Sequence, residues 1–216
     1  LKNKKNYIKV DSTMSFLNRL AKNMRDHSSA KFIAITGSTG KTTVKVLTGN
    51  LLKEYSETFF SPRSYNNHYG VPLSVCNMST NDNFGVFEVG MSKPGEILKL
   101  SALVRPHIAT ITNISEAHLE NFQNINGIAK AKSEIIYNIE KGGSVILNKD
   151  DKFFDYFKKI AEKKHIKVVS FGYSKKSDVT YDSLKTSQGG YILKVLVNKK
   201  QIILKVSSNN KNYIMN

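Results

Sequence analysis

Lys31-Phe32-Ile33-Ala34-Ile35-Thr36-Gly37-Ser38-Thr39-Gly40-Lys41-Thr42-Thr43 is the stretch that decides the fold. Phe32 to Ile35 is a short unbroken apolar run, the pattern of a strand buried on both faces. Val44, Val46, Leu47, Leu51 and Leu52 follow at helical spacing and predict a helix from about Thr42 to Lys53. Two glycines and the ending Lys41-Thr42-Thr43 lie between strand and helix. In that context the backbone N–H groups of a glycine-containing turn close around phosphate oxygens at a helix start. Gly37, Ser38, Thr39, Gly40, Lys41, Thr42 and Thr43 are therefore the expected nucleotide loop. Lys41 would neutralise β/γ-phosphate charge and the Thr42 hydroxyl would ligate Mg²⁺. The full Walker A spacing also asks for a glycine five residues before Gly40, and that position is Ile35.

Outward from this stretch, strands and helices alternate. Strands are expected at Thr58–Ser61, Phe84–Val89, Ile108–Thr112, Val145–Leu147 and Val168–Phe171. Helices are expected at 69–78, Gly95–Val104, Ile128–Ile139 and Phe153–Lys164. Such alternation implies βαβ crossovers, hence an α/β fold with a mostly parallel sheet flanked by helices. Val179–Tyr181, Tyr191–Val197 and Gln201–Val206 are strand-like and separated by Gly189-Gly190 and Asn198-Lys199-Lys200, which predicts a C-terminal antiparallel meander. Upstream, Tyr7 to Val10 reads as a strand. Asp11 or Ser12 then caps a helix whose apolar positions are Met14, Phe16, Leu17, Leu20 and Met24. His27 to Ala30 is a short linker. The chain starts with Leu rather than Met, so residues 1–30 are expected to be the tail of a preceding unit.

Composition narrows the function. With 40% hydrophobic residues among 216, a disordered chain is excluded. No apolar run reaches the roughly 18 residues of a membrane helix, and no signal-peptide pattern is visible, so a cytoplasmic protein without a membrane partner is expected. A single cysteine, Cys76, excludes an internal disulfide. The net charge of +16 suggests a nucleic-acid partner. Its distribution argues against one: residues 1–30 carry +5, residues 31–140 only +1, and residues 141–216 +10. Of the basic residues 29 are Lys and 4 are Arg, whereas nucleic-acid readers lean on Arg for bidentate and stacked contacts.

Two further groups fall at the carboxyl ends of the predicted strands, where open α/β sheets gather ligands. Glu88, in Phe87-Glu88-Val89-Gly90, can hold Mg²⁺ there, although taken alone it reads more readily as a solvated strand end. Asn113 and His118 follow the Ile108–Thr112 strand. Lys130 and Lys132, two apart on a helix, face different sides, so at most one points at a site. Asn66 and Asn67 follow the second strand and can also serve as turn formers.

Five segments occur in order over about 100 residues: ITGSTGKTTVK (35–45), SYNNHYGVPLS (64–74), FEVGMSKPGEI (87–97), RPHIATITNISEAHLENF (105–122) and GIAKAKSEII (127–136). Together they resemble the Mur ligases of peptidoglycan synthesis, and among them the type that adds D-alanyl-D-alanine to UDP-MurNAc-tripeptide. The resemblance implies a three-domain enzyme. Residues 1–30 would end its N-terminal UDP-substrate domain, residues 31–216 would form most of its central ATPase domain, and a C-terminal Rossmann-like domain would be absent from this chain.

It further implies ATP-driven amide formation through an acyl phosphate, with ATP and two Mg²⁺ as cofactors. Thr42 and Glu88 would hold one Mg²⁺; His118 and a carbamylated Lys132 would serve the second, with Lys130 solvent-facing and unmodified. Lys41, His118 and Lys132 would be the catalytic residues. Asn113 would join the nucleotide loop. The final segment, Asn210 to Asn216, is similar to one that supplies an adenine-side Asn, here Asn216. Asn66 and Asn67 would meet the UDP-muramoyl peptide, and the protein would be a monomer with no nucleic-acid partner. The competing readings are another Mur-type or folylpolyglutamate-type ligase, a basic P-loop nucleic-acid protein, and a non-catalytic nucleotide-binding fragment.

Overall fold

The apolar run at the start of the deciding stretch is an interior strand of a nine-stranded sheet, β1 (Lys31–Thr36). The computed structural model describes residues 8–116, 121–185 and 189–207. The parallel strands are β1, β2 (Thr58–Phe60), β3 (Phe84–Glu88), β4 (Ile108–Ile111), β5 (Ser144–Asn148) and β6 (Lys167–Gly172). β7 (Val179–Lys185) continues parallel to β6, and β8 (Tyr191–Val197) and β9 (Lys200–Val206) close the sheet as an antiparallel meander. The order is β2-β3-β1-β4-β5-β6-β7-β8-β9. This is the mostly parallel α/β fold with an antiparallel end that the alternation of elements predicts.

β1 is buried on both faces, and its alternate residues belong to two cores. Phe32 and Ala34 join Phe87, Val71, Ile97 and Ile128 on one side; Phe32 and Phe87 stack with centroids 5.3 Å apart. Ile33 and Ile35 join Val86 on the other, beneath Val44 and Leu52 of α2 (Lys41–Lys53). The first core is covered by α1 (Thr13–His27), α3 (Gly70–Cys76), α4 (Glu96–Val104) and α5 (Ile125–Ser133), and extends under α6 (Phe154–Lys163).

From β1 the chain builds β2 and β3 on one side of the sheet, then crosses to β4 on the other. β1 is thus the topological switch point, where strand ends diverge and leave a crevice. Gly37, Glu88 and Asn113 all follow or end strands at that crevice.

Three local expectations are corrected. Ile8 to Val10 forms no strand. α1 is capped by Ser12, whose Oγ accepts from Ser15 N at 3.2 Å, but it buries Ala21 and Arg25 while Leu20 stays 40% exposed. The reason is that Arg25 donates to Val104 O (2.7 Å) and Arg105 O (2.8 Å) and lies 4.1 Å over the Phe32 ring. α5 begins three residues before the expected Ile128, because Asn124 caps it by accepting from Gly127 N at 3.0 Å. It then tightens into a 3₁₀ turn at Glu134–Asn138. Among the described residues no helix is long and apolar enough to cross a membrane.

Candidate functional site

The loop after β1 is built to present backbone N–H groups. Gly40 takes φ 80°, a left-handed conformation, and opens α2 with no side-chain cap, leaving the helix N-terminus available to an anion. The loop is locked from β4. Ser38 N donates to Asn113 O (2.9 Å), Thr39 N to Asn113 Oδ1 (3.0 Å), and Asn113 Nδ2 to Thr39 Oγ1 (2.8 Å). Thr112 Oγ1 donates to Thr39 O at 2.6 Å, and Ser38 Oγ exchanges hydrogen bonds with the Ser115 backbone. Gly37 passes so close to Thr112 that a Cβ there would lie 1.8 Å from Thr112 Oγ1. Asn113, read as nucleotide-binding, here holds the loop's shape.

Glu88 ends β3 with only 1% of its surface exposed. Its Oε2 accepts from Thr42 Oγ1 at 2.7 Å, and its Oε1 from Asn66 Nδ2 at 2.7 Å. Lys45, one turn beyond Lys41 on α2, is equally buried; its Nζ lies 3.8 Å from Glu88 Oε2 and donates to Arg63 O. Burial pulls the Lys45 pKa down, and Glu88 partly restores it.

Two lysines meet at one carbonyl. Lys41 Nζ donates to Gly37 O (2.9 Å) and Ser38 O (3.2 Å), while Lys132 Nζ, from α5, donates to Gly37 O at 2.8 Å. Lys132 is 2% exposed and Lys130 is exposed, so the fold separates a pair that spacing alone leaves equivalent. Burial, and then the charge of Lys41, lower the Lys132 pKa to about 7. The Lys41 pKa is also lowered by burial, against an opposing pull from Glu88. Glu134, just past Lys132, fixes this corner: its carboxylate accepts from Gly95 N (2.8 Å) and Leu98 N (2.9 Å), bridging to the start of α4.

Lys41, Lys132, Asn66, Asn67, Glu96 and Lys99 are among the residues lining a cleft of about 340 Å³. Asn67 Oδ1 accepts from Tyr69 N (3.1 Å) and Gly70 N (2.9 Å), so it caps α3 while Asn66 reaches Glu88. Thr43 sits in the first turn of α2. His118 and Asn216 lie outside the described residues.

Lys45, Thr112, Ser115 and Glu134 were not singled out from sequence. Lys45 had a signal, since i and i+4 positions share a helix face and Lys41 sits four residues before it; the other three act through long-range contacts.

Glu88 and Thr42 set two hard oxygens side by side at the mouth of the loop. That donor set suits Mg²⁺, which takes one or two protein oxygens and fills its remaining positions with phosphate and water. Among the described residues no group of three or more His, Cys, Asp or Glu could form a closed cage instead.

Residues 35–216 match the model of the Mur ligase middle domain. The UDP-N-acetylmuramoyl-tripeptide–D-alanyl-D-alanine ligase of Buchnera aphidicola is 34% identical over 86% of this chain and 40% of its own length. A crystal structure of MurF from Acinetobacter baumannii superposes with a TM-score of 0.89 at 30% identity, over 96% of this chain and 45% of its own. MurF from Thermotoga maritima, solved in complex with ADP, superposes at 0.82 with 27% identity, over all of this chain and 49% of its own. The chain spans less than half the length of each of these relatives. With the phosphate loop, the Glu88–Thr42 pair and the buried Lys132 on the same sheet edge, and with most of its length matched, the chain belongs to the Mur ligase middle-domain family.

Proposed function

We propose that this chain supplies the ATP-activating part of a cytoplasmic ligase that joins D-alanyl-D-alanine to UDP-MurNAc-tripeptide. The observation that carries the reading is Glu88, buried at the end of β3 and hydrogen-bonded to Thr42 at the mouth of the phosphate loop. Relatives that this chain matches at 34–36% identity are named as ligases of that specificity.

The chemistry begins with a carboxylate of the tripeptide attacking the γ-phosphorus of ATP. The bond to the β-phosphate oxygen breaks, ADP leaves, and an acyl phosphate remains. The amine of D-alanyl-D-alanine then attacks the acyl carbon and phosphate departs. The obstacle is an anion approaching a polyanion, so the site must concentrate positive charge without holding water. Lys41 exchanges the Gly37 and Ser38 carbonyls for phosphate oxygens. The N–H groups at the start of α2 take the phosphate charge along the helix axis. Mg²⁺, when bound, screens the β/γ-phosphates and polarises the transferred group. Thr42 and Glu88 would hold it, and His118 and Lys132 would serve a second ion.

Lys132 suits carbamylation for a stated reason. A pKa lowered to about 7 leaves a substantial neutral fraction near pH 7. That amine attacks CO₂, forms a C–N bond and releases a proton, giving an anion. The change removes the repulsion between Lys132 and Lys41 at the Gly37 carbonyl and replaces it with attraction. Protein treated with ¹³C-bicarbonate should show a carbamate carbonyl resonance that Lys132→Met lacks and Lys130→Met keeps. The reverse pattern would refute the assignment.

The decisive assay is ligation in a chain of the relatives' full length. ATP hydrolysis should be coupled one-to-one to addition of D-alanyl-D-alanine, with diaminopimelate and glutamate left unused. Preferential use of either would assign the chain to another ligase specificity. The same reading makes the enzyme a monomer; a concentration-dependent sedimentation coefficient would overturn that.

A further inference from the structure

Lys45 is a fully buried cation that the proposed chemistry does not use. Its Nζ donates to Arg63 O in the loop after β2 and rests 3.8 Å from Glu88 Oε2. That separation is an ion pair beyond hydrogen-bonding distance, so Lys45 draws on the charge of Glu88 without filling a hydrogen-bonding position on its oxygen. The hydrogen bonds to Glu88 come from Thr42 and Asn66.

A second cation stands close by: Lys41 precedes Thr42, whose Oγ1 donates to Glu88 Oε2 at 2.7 Å, and lies one turn before Lys45 on the same face of α2. Two lysines one helical turn apart therefore compete for one buried carboxylate. Lys41 points instead at the Gly37 and Ser38 carbonyls, from which it can turn to a phosphate.

We propose that Lys45 is a positioning residue that holds the Glu88 carboxylate toward Thr42 and Asn66, and so keeps it from capturing Lys41, the phosphate-binding lysine. The inference rests on the proposed nucleotide-binding role of the loop. Without Lys45, the only compensation left for Glu88 on this face of α2 is Lys41, because a buried carboxylate stripped of its partner takes the next cation in reach. Lys41 would then be quenched, and nucleotide binding would weaken even with no metal present. The second connection, through Arg63 O, ties the same lysine to the loop that carries Asn66, so one side chain sets both the charge and the orientation of Glu88.

The test is ADP affinity by calorimetry in EDTA, which removes metal ligation from the readout. Lys45→Met should bind ADP about tenfold more weakly than the wild type, the loss of one charge-assisted contact. Lys45→Arg, which keeps the charge, should stay within about threefold. The discriminating variant is the double Lys45→Met/Glu88→Gln. With no carboxylate to capture Lys41, it should regain most of the lost affinity, although it carries one more substitution. A purely structural Lys45 predicts no such rescue.

Unchanged affinity in Lys45→Met, or a loss that Glu88→Gln does not relieve, overturns the proposal. If Lys45→Met does not fold, Glu88→Gln alone carries the test: it should bind metal-free ADP at least as tightly as the wild type, and weaker binding overturns the proposal. A wild-type protein that binds no ADP at millimolar concentration would instead sink the nucleotide-site reading itself.

Discussion

Gly37→Ala puts the tightest steric demand on the phosphate loop. The added Cβ would sit 1.8 Å from Thr112 Oγ1 and 3.1 Å from Thr112 N, at a φ of +150° that L side chains rarely adopt. Thr112 cannot simply rotate away, because Oγ1 donates to Thr39 O at 2.6 Å and N donates to Thr36 O at 2.9 Å. Overpacking of this kind costs about 1–3 kcal/mol. The broken Thr112–Thr39 hydrogen bond adds about 1 kcal/mol, and the backbone strain about 1–3 kcal/mol. A total of at least about 3 kcal/mol is a large part of a stability of about 5–15 kcal/mol. Urea unfolding followed by circular dichroism should show the midpoint falling by about 1.5 M for a slope near 2 kcal/mol/M. Thr112→Ala removes the clashing oxygen, so Gly37→Ala/Thr112→Ala should be less destabilised than the two single changes added together, by about 1 kcal/mol or more. A loss below about 1 kcal/mol for Gly37→Ala, or strict additivity in the double variant, would refute the claim that Thr112 and Gly37 form one lock.

Other consequences follow from buried groups away from the loop. Arg25→Met strands the Val104 and Arg105 carbonyls at the end of α4, and should cost about 2–4 kcal/mol in urea unfolding; a change within about 0.5 kcal/mol would show that α1 is held by apolar contacts alone. His107 Nδ1 accepts from Phe32 N at 3.0 Å, which requires the neutral ring, and burial together with the charge of Lys31 lowers its pKa. Its contribution is therefore complete above the unfolded value of about 6.5 and is lost as pH falls through the lower folded value. The urea midpoint should decline on acidification below pH of about 6.5, less steeply in His107→Asn; equal slopes would exclude the ring as the source. Glu134→Gln weakens the bridge to Gly95 N and Leu98 N, so those amides should exchange with deuterium about tenfold faster, while unchanged exchange would mean that α4 needs no cap from α5.

The parts legible in the sequence are those written in local pattern. β1 and α2 are read from an apolar run followed by helical spacing, because a strand buried on both faces and a one-sided helix leave different periods. The meander from β7 to β9 is read from its turn residues. What local pattern does not carry is which polar residue reaches across the fold. Local spacing leaves Lys130 and Lys132 interchangeable, yet of the two only Lys132 reaches Gly37 O, 95 residues away. Asn66 and Asn67 are neighbours of one type, but one holds Glu88 and the other caps α3. Arg25 lies hidden among the apolar positions of α1, since a guanidinium over an aromatic ring serves as core there.

The departure from Walker spacing at Ile35 has its explanation in the same register that builds the site. Ile35 is a β1 residue, 1% exposed, paired with Glu88 on one side and Thr110 on the other. A glycine there would empty the core beneath α2, so the loop can begin only at Gly37. It is consequently short, and Thr112, Asn113 and Ser115 supply the hydrogen bonds that hold it open. The pairing of Ile35 with Glu88 also places Glu88 on the face of β3 that Val86 shares with α2. Thr42 and Lys45 stand on that helix, so their contacts with Glu88 follow from the sheet register. A slip of one residue would turn Glu88 to the opposite face and bring Phe87 or Val89 beneath Thr42. The burial of Val86 in one core and of Phe87 and Val89 in the other is therefore as much a determinant of the carboxylate's position as Glu88 itself. Exchanging Val86 and Phe87 should disturb nucleotide binding although neither side chain touches the cleft.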